Sequence, residues 1–142
     1  MRVVIYALAS LMAVVGVIAI VGCFLPVHHQ ASRSAEFSKT PGNLWPLIAD
    51  PAAYGNWWKG ADVKTAVIES SPPSRLVTKI VDETAFGGTW TFEIAPTETG
   101  SRLTITEKGE IYNVIFRALA KYVFGYTSTM DSFLEALSTA QK

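Results

Sequence analysis

The sequence predicts an α+β protein: an antiparallel sheet packs on a long C-terminal helix, and a transmembrane helix precedes this domain. Three observations predict it. The run Val3–Leu25 contains no charged side chain. Between Val63 and Glu107, apolar and polar residues alternate in four short runs, which is typical of antiparallel strands. From Asn113 to Ala140, apolar residues recur every three or four positions, as on a helix with one buried face.

The apolar run defines an N-terminal segment, residues 1–26. A helix needs about 20 apolar residues to cross the hydrocarbon core, so this run is long enough to span a membrane. Two alternatives stay open. In the first, Ile20-Val21-Gly22-Cys23 resembles a lipoprotein motif, in which cysteine becomes the lipidated first residue of the mature chain. In the second, the run is a signal peptide that is cleaved off without lipidation. Because Arg2 precedes the run, the positive-inside rule favours a single-pass protein with its domain on the extracytoplasmic side.

Composition excludes several classes of function. The chain has 12 basic and 12 acidic residues and no basic patch, so we expect no nucleic-acid partner. The single cysteine lies in the apolar run, so the domain has no disulfide or cysteine–metal cluster, and we expect no metal and no cofactor. Four Trp, five Tyr and seven Phe indicate an aromatic core or an aromatic-lined pocket.

The remaining elements follow in order. Residues 27–34 are expected to form a polar linker, and residues 35–142 the domain. A short strand is expected at 35–37 and a short helix after Thr40-Pro41, because Thr caps helices and Pro suits the first helical position. Asp50-Pro51 predicts a second brief helical turn. Four strands follow, at 63–69, 75–81, 89–94 and 102–107. Gly125 is expected to bend the last helix.

Several stretches of this domain resemble the SRPBCC superfamily, the START-like or helix-grip domains, and within it the polyketide cyclase/dehydrase and lipid-transport group. Together they cover most of the chain from Ser34 to Leu137, and no single one is specific. The matching stretches are Ser34–Phe37, Leu44–Trp57, Pro72–Val77, Phe86–Phe92, Thr104–Asn113, Phe116–Arg117 and Phe124–Thr127.

The resemblance implies a curved sheet that grips the C-terminal helix, with a hydrophobic cavity between them that takes lipids or other apolar molecules. Some members of the group catalyse cyclisation or dehydration. This chain departs from the group after Trp58, where about two strands are missing, and we expect the shortened sheet to have an unpaired edge.

Two carboxylates are candidates for acid–base catalysis. Glu107 shares strand parity with Leu103 and Ile105, and Asp82 shares it with Leu76 and Ile80, so both could point inward. The alternative is that the strands end there and leave the carboxylates exposed, with Glu107 paired to Arg117 or Lys108. Glu110 and Arg117 could form a structural pair. His28 and His29 are expected to be solvated residues of the linker.

A set of aromatic residues could line the pocket or fill the core. Its members are Trp45, Trp57, Trp90, Phe92, Tyr122, Tyr126 and Phe133.

The first hypothesis is a membrane-anchored domain that binds a hydrophobic small molecule or a lipid. The alternatives are a cyclase/dehydratase-like enzyme that uses Glu107 or Asp82, and a shortened interaction domain without catalysis. The lack of a catalytic histidine, cysteine or metal cluster in the predicted domain favours binding.

Overall fold

The computed structural model describes residues 1–60 and 62–141, and its described elements confirm the α+β class. They are α1 (Arg2–Phe24), β1 (His28–Phe37), α2 (Pro41–Ile48), a 3₁₀ helix (Pro51–Asn56), β2 (Thr65–Ser71), β3 (Arg75–Ile80), β4 (Phe86–Thr97), β5 (Gly100–Ile111), α3 (Val114–Leu119), a π-helical turn (Ala120–Phe124) and α4 (Ser128–Ala140).

The strands form one antiparallel sheet in the order β1-β5-β4-β3-β2. The long strands β4 and β5 pair along their whole length, and Trp90 lies opposite Glu107. On the other side of β5, Ala31 of β1 lies opposite Glu107 and His29 lies opposite Gly109. In this register, residues of β1 and β4 flank Glu107 of β5 on both sides.

The core lies between the sheet and α4. Met130, Phe133 and Leu137 of α4 are fully buried, as are Leu103 and Ile105 of β5. The Phe133 ring is the centre of an aromatic cluster, with ring centroids 5.0 to 5.8 Å from five neighbours. Those neighbours are Tyr54, Trp57, Trp58, Trp90 and Phe92. Aromatic contacts of this kind add about 0.5–1.5 kcal/mol each beyond the area they bury.

The predicted linker is wrong, because residues 28–34 belong to β1. The edge of β5 offers backbone donors and acceptors, and β1 satisfies them along its whole length. Its side chains alternate: His29, Ala31 and Ala35 are partly buried, Phe37 is buried, and most of the residues between them are exposed. Ser32, Ser34 and Glu36 lie on the outer side of the strand, whereas Arg33 lies on the inner side and donates to Asp131 Oδ1 at 2.8 Å and to Thr127 Oγ1 at 3.0 Å.

The predicted long C-terminal helix is two helices. α3 continues into the π-helical turn, Gly125 has a φ of 74°, and α4 starts at Ser128. A positive φ ends an α-helix and is accessible to glycine without a Cβ penalty. The bend expected at Gly125 is therefore a break, and the two helices have different partners.

The predicted absence of two strands after Trp58 leaves β2 as an unpaired edge of the sheet. Between Asn56 and Thr65, the described residues include no strand, so β2 forms the edge of a five-stranded sheet. β2 is exposed almost throughout, including Val67 and Ile68.

α1 is attached to the domain through α3. Gly22 is buried, and a Cβ built there would overlap the carbonyl oxygen of Val114. The predicted pair of Glu110 with Arg117 is wrong, because Arg117 is buried and its guanidinium donates to four backbone carbonyls. The acceptors are the carbonyl oxygens of Ile111 at 2.9 Å, Gly22 and Leu25 at 3.1 Å and Tyr112 at 3.2 Å.

Candidate functional site

A cavity of about 580 Å³ lies between the sheet and the segment that joins α3 to α4. Most of its wall is apolar. The sheet contributes Thr78, Ile80, Trp90, Phe92 and Ile111, and the facing segment contributes Phe116, Ala120, Phe124 and Tyr126. The volume falls in the range of about 300–1,000 Å³ that is usual for small-molecule pockets.

Glu107 is the polar centre of this cavity. Its Oε2 accepts a hydrogen bond of 2.6 Å from the indole Nε1 of Trp90, and its Oε1 lies 2.8 Å from Nε2 of His29. The Glu107 and His29 side chains are only 19% and 10% exposed. Because an ionised carboxylate only accepts hydrogen bonds, Nε2 of His29 is the donor in this pair. The carboxylate is therefore fixed by two donors beside an apolar space.

Backbone geometry makes the His29–Glu107 pair possible. A Cβ at Gly109 would overlap the His29 imidazole and would lie 2.9 Å from Oε1 of Glu107. Any larger residue at this position would displace the imidazole. On its other side the imidazole stacks on Tyr126, with ring centroids 4.1 Å apart and an interplanar angle of 15°. His29 is thus held between β5 and Tyr126, which lies two residues before the start of α4.

A second carboxylate, Glu110, lies nearer the solvent. His28 Nδ1 is 3.4 Å from Glu110 Oε1, and the Tyr112 hydroxyl donates to Glu110 Oε2. The hydrogen bond to this carboxylate raises the pKa of Tyr112. Tyr112 is half-exposed, so this group marks the solvent side of the cavity.

Tyr54, in the 3₁₀ helix, also lines the cavity. Its hydroxyl donates to the carbonyl oxygen of Ile48 at 2.7 Å. Burial raises the pKa of the Tyr54 phenol, and the nearby Asp50 charge adds to this shift. Tyr54 therefore stays protonated over the physiological pH range and presents its ring to the cavity.

The predicted site residues occupy three different environments in the structure: the cavity, the core and the exposed surface. Glu107, Trp90, Phe92 and Tyr126 line the cavity. Phe133 and Trp57 lie in the aromatic cluster behind it, and Trp45 packs against the core from α2. Tyr122 is exposed on the π-helical turn. The expectation that Tyr122 points into the cavity is wrong, because Ala120 and Phe124 face the cavity and Tyr122, two positions from each, points away from it.

Asp82 does not point inward. β3 ends at Ile80, and Asp82 follows with a φ of 62°, so the strand parity that linked them does not apply. Its side chain is 70% exposed and lies 3.5 Å from Lys64 Nζ. Of the two predicted carboxylates, only Glu107 reaches the cavity. Its partners are His29 and Trp90, and neither Arg117 nor Lys108 pairs with it.

His29 is the main residue that the sequence interpretation missed. A signal was present: Phe37, Ala35, Ala31 and His29 have the same strand parity. Extending the alternation backwards from Phe37 places His29 on the inner face. Trp58 was missed too; its ring is buried in the cavity wall and its Nε1 donates to Ser132 Oγ at 3.0 Å.

Across residues 1–60 and 62–141, no group of three or more His, Cys, Asp or Glu side chains could hold a metal ion. The polar centre of the cavity comprises the Glu107 carboxylate, the His29 imidazole and the Trp90 indole N–H.

Comparison with known proteins shows the fold. No protein-family model and no curated protein matches the sequence. Solved structures do match, including a START superfamily protein from Mycobacterium smegmatis at 16% identity and a TM-score of 0.60, covering 79% of this chain and 96% of that one. Protein MLL2253 from Mesorhizobium loti matches at 18% identity with a TM-score of 0.62, covering 80% and 96%. Protein Mll3558 from Rhizobium loti matches at 19% identity with the same score and coverage.

These similarities establish that the domain has a START-like, helix-grip fold, with a five-stranded antiparallel sheet packed against helices. In addition, α1 is long and apolar enough to cross a membrane, a property that signal sequences share.

Proposed function

We propose that this protein is a membrane-anchored binding domain for a hydrophobic small molecule or a lipid. The observation that carries the proposal is the apolar cavity with one fixed polar centre, His29–Glu107–Trp90. Apolar walls favour an acyl chain or a ring system, since each buried methylene contributes about 0.8 kcal/mol. The polar centre provides one place where a hydroxyl or amide of the ligand is hydrogen-bonded.

An uncleaved α1 is the form of the anchor that the contacts favour. Cleavage before Cys23 would remove Gly22, whose carbonyl accepts from Arg117 and whose backbone packs on Val114. A buried guanidinium would lose one of its four acceptors, at a cost of about 1–3 kcal/mol. The mass of the mature chain tests this: an intact N-terminus supports the anchor, and a lipidated Cys23 at the N-terminus contradicts it.

Ligand retention tests the binding function. Full-length protein is purified from its native membranes, exchanged through detergent, and analysed for retained lipids by native mass spectrometry. We expect a stoichiometric apolar molecule. Ala120→Trp fills the cavity and should remove it, whereas Lys121→Trp, on the exposed side of the same turn, should not. Equal retention by both variants, or no retained molecule in the unmodified protein, would contradict the proposal.

A second candidate function is catalysis in the same cavity. The observation that favours it is the contact of 2.8 Å between Nε2 of His29 and Oε1 of Glu107 beside the apolar space. Such a pair can remove a proton from one ligand atom and return it to another, which is what a cyclisation or a dehydration needs.

Comparison of the bound molecules separates the two functions. A binding protein retains the same molecule in the unmodified chain and in Glu107→Gln. A dehydratase would instead accumulate its substrate in Glu107→Gln, and the retained molecule would be heavier by one water. A cyclase would accumulate an isomer of equal mass and different retention time.

A further inference from the structure

The position of α3 beside α1 carries an inference about how the cavity meets the bilayer. Most residues of α1 are exposed, and the exceptions, Ile18, Ala19 and Gly22, share one helical face. α3 is the element that packs extensively on α1. Ile18 precedes the end of α1 at Phe24 by six residues, which is about 9 Å of helix. α3 therefore lies alongside the last turns of the apolar helix.

Arg117 links α1 to the sheet by hydrogen bonds. Its guanidinium joins the carbonyls of Gly22 and Leu25, at the end of α1, to those of Ile111 and Tyr112, at the end of β5. A cation at a helix C-terminus is also favoured by the helix dipole. The planar guanidinium holds several donors in fixed directions. One buried side chain thus connects the end of α1 to the end of β5, in addition to the packing of α3 on α1.

The segment that follows α3 exposes an unusual amount of apolar surface. Tyr122, Val123 and Phe124 are each more than 60% exposed, and Phe116 is 50% exposed. Lys121 is the one charged side chain of this turn, and its ammonium lies 5.9 Å from the Tyr122 ring centroid. Aromatic side chains with a basic residue are the composition found where protein meets lipid headgroups.

The same segment is a wall of the cavity. Phe116, Ala120 and Phe124 line the cavity from the outer side, and Phe124 is also exposed on the surface. One layer of side chains therefore separates the cavity from the apolar surface.

We propose that the outer side of α3 and the π-helical turn, which we call the interfacial face (Phe116 and Tyr122–Phe124), lies in the headgroup region of the bilayer that α1 spans. Interfacial helices bury their apolar side about 5–10 Å deep, which matches the roughly 9 Å of α1 that α3 accompanies. Apolar molecules then enter the cavity past Phe124 directly from the bilayer. This inference rests on the proposed membrane anchor and names the lipid surface as the partner of the turn.

Depth-dependent quenching tests the interfacial face. Full-length protein with Cys23→Ser receives one new cysteine, labelled with an NBD fluorophore, and is reconstituted in phosphatidylcholine–phosphatidylglycerol vesicles. One set of vesicles contains lipids spin-labelled near the headgroup, which report on the test positions and the solvent reference. A second set contains lipids spin-labelled near the end of the acyl chain, which report on the reference position within α1. The test positions are Phe124→Cys and, as a second variant, Tyr122→Cys. The reference for membrane insertion is Val14→Cys in α1. The reference for solvent is Glu98→Cys, in the exposed turn between β4 and β5.

We expect quenching at positions 124 and 122 to exceed that at position 98 by at least about twofold, because the label would lie within the headgroup layer. Quenching at position 14 without quenching at 124 or 122 would overturn the interfacial face and leave the anchor in place. No quenching at position 14 would overturn the anchor and the interfacial face together. Disulfide-linked dimers of the unlabelled Phe124→Cys variant, in place of quenching, would assign the face to a second copy of the chain.

Lipid retention by the same labelled protein keeps the two proposals distinguishable. A retained lipid without quenching at 124 or 122 contradicts only the interfacial face. Quenching at these positions without any retained molecule supports the interfacial face and contradicts the binding function.

Discussion

α4 and the α3–π-turn segment come from one continuous amphipathic stretch, yet they behave differently in the structure. α4 buries Met130, Phe133 and Leu137 completely against the sheet. The turn leaves Tyr122 and Phe124 largely exposed, and its neighbour α3 packs on α1. The same periodicity therefore serves two environments. It shows that a face is apolar but does not identify what covers it, which is the sheet for α4 and, as we propose, lipid for the turn.

The largest difference between the two regions should appear on truncating one phenylalanine in each. Phe133→Ala should lower the free energy of unfolding by about 3–5 kcal/mol, because it leaves a cavity inside the aromatic cluster. Phe124→Ala should change it by no more than about 0.5 kcal/mol, because that ring contributes little to the core. Denaturant unfolding of the full-length protein in detergent micelles measures both. Equal losses would show that the two faces have the same role.

The junction between α1 and the domain should be the next most sensitive place. Arg117→Lys should cost about 1.5–3 kcal/mol, since an ammonium does not reproduce the fork of donors that reaches four carbonyls. Arg102→Lys is the matched control: Arg102 forms an exposed ion pair with Glu36, which is worth about 0–1 kcal/mol. If Arg102→Lys were the more destabilising of the two, the junction would be a minor contact.

A glycine pair within α1 tests whether α1 and α3 are in close contact. Gly22→Ala should cost about 1–3 kcal/mol, because its Cβ would meet the Val114 carbonyl and force the helices apart. Gly16→Ala has open space around its Cβ and should be neutral or gain up to about 1 kcal/mol from helix propensity. Hydrogen exchange of the α3 amides is the readout. Unchanged α3 protection in Gly22→Ala would contradict the close contact.

The smallest effect should come from Tyr54, in the 3₁₀ helix. Its pKa is raised by burial, so its contribution to stability is fully present below the unfolded-state pKa of about 10 and is lost as the pH rises above that value. Tyr54→Phe should cost about 1 kcal/mol near neutral pH through the lost hydrogen bond to Ile48. It should also lose less stability than the unmodified protein above a pH of about 10. Parallel alkaline profiles for the two proteins would contradict this assignment.

The sequence was a good guide where one physical rule decided the outcome. Alternation located β3, β4 and β5 within a few residues, because one face of each strand packs on the core. Thr40-Pro41 marked the start of α2 correctly. The inward orientation of Glu107 followed from the parity of Leu103 and Ile105, which continues without a break through β5.

The sequence was a poor guide where tertiary partners decided. β1 begins at His28, well before its composition indicated, because the β5 edge recruits a polar stretch. Glu107, His29 and Trp90 come from three strands, and pairing alone brings them together. Arg117 has backbone carbonyls as partners, and no side-chain pattern points to such acceptors.

Photocrosslinking with a lipid that carries a diazirine near the end of its acyl chain tests the central claim most directly. Full-length protein is irradiated in bilayers that contain this lipid, and the labelled residues are located by mass spectrometry. Our account predicts labels on inner cavity residues such as Trp90, Ile111 and Tyr126, in addition to α1, and their loss in Ala120→Trp but not in Lys121→Trp. Labels confined to α1 and the interfacial face, with none on the inner cavity wall, would contradict the claim that this domain binds a lipid.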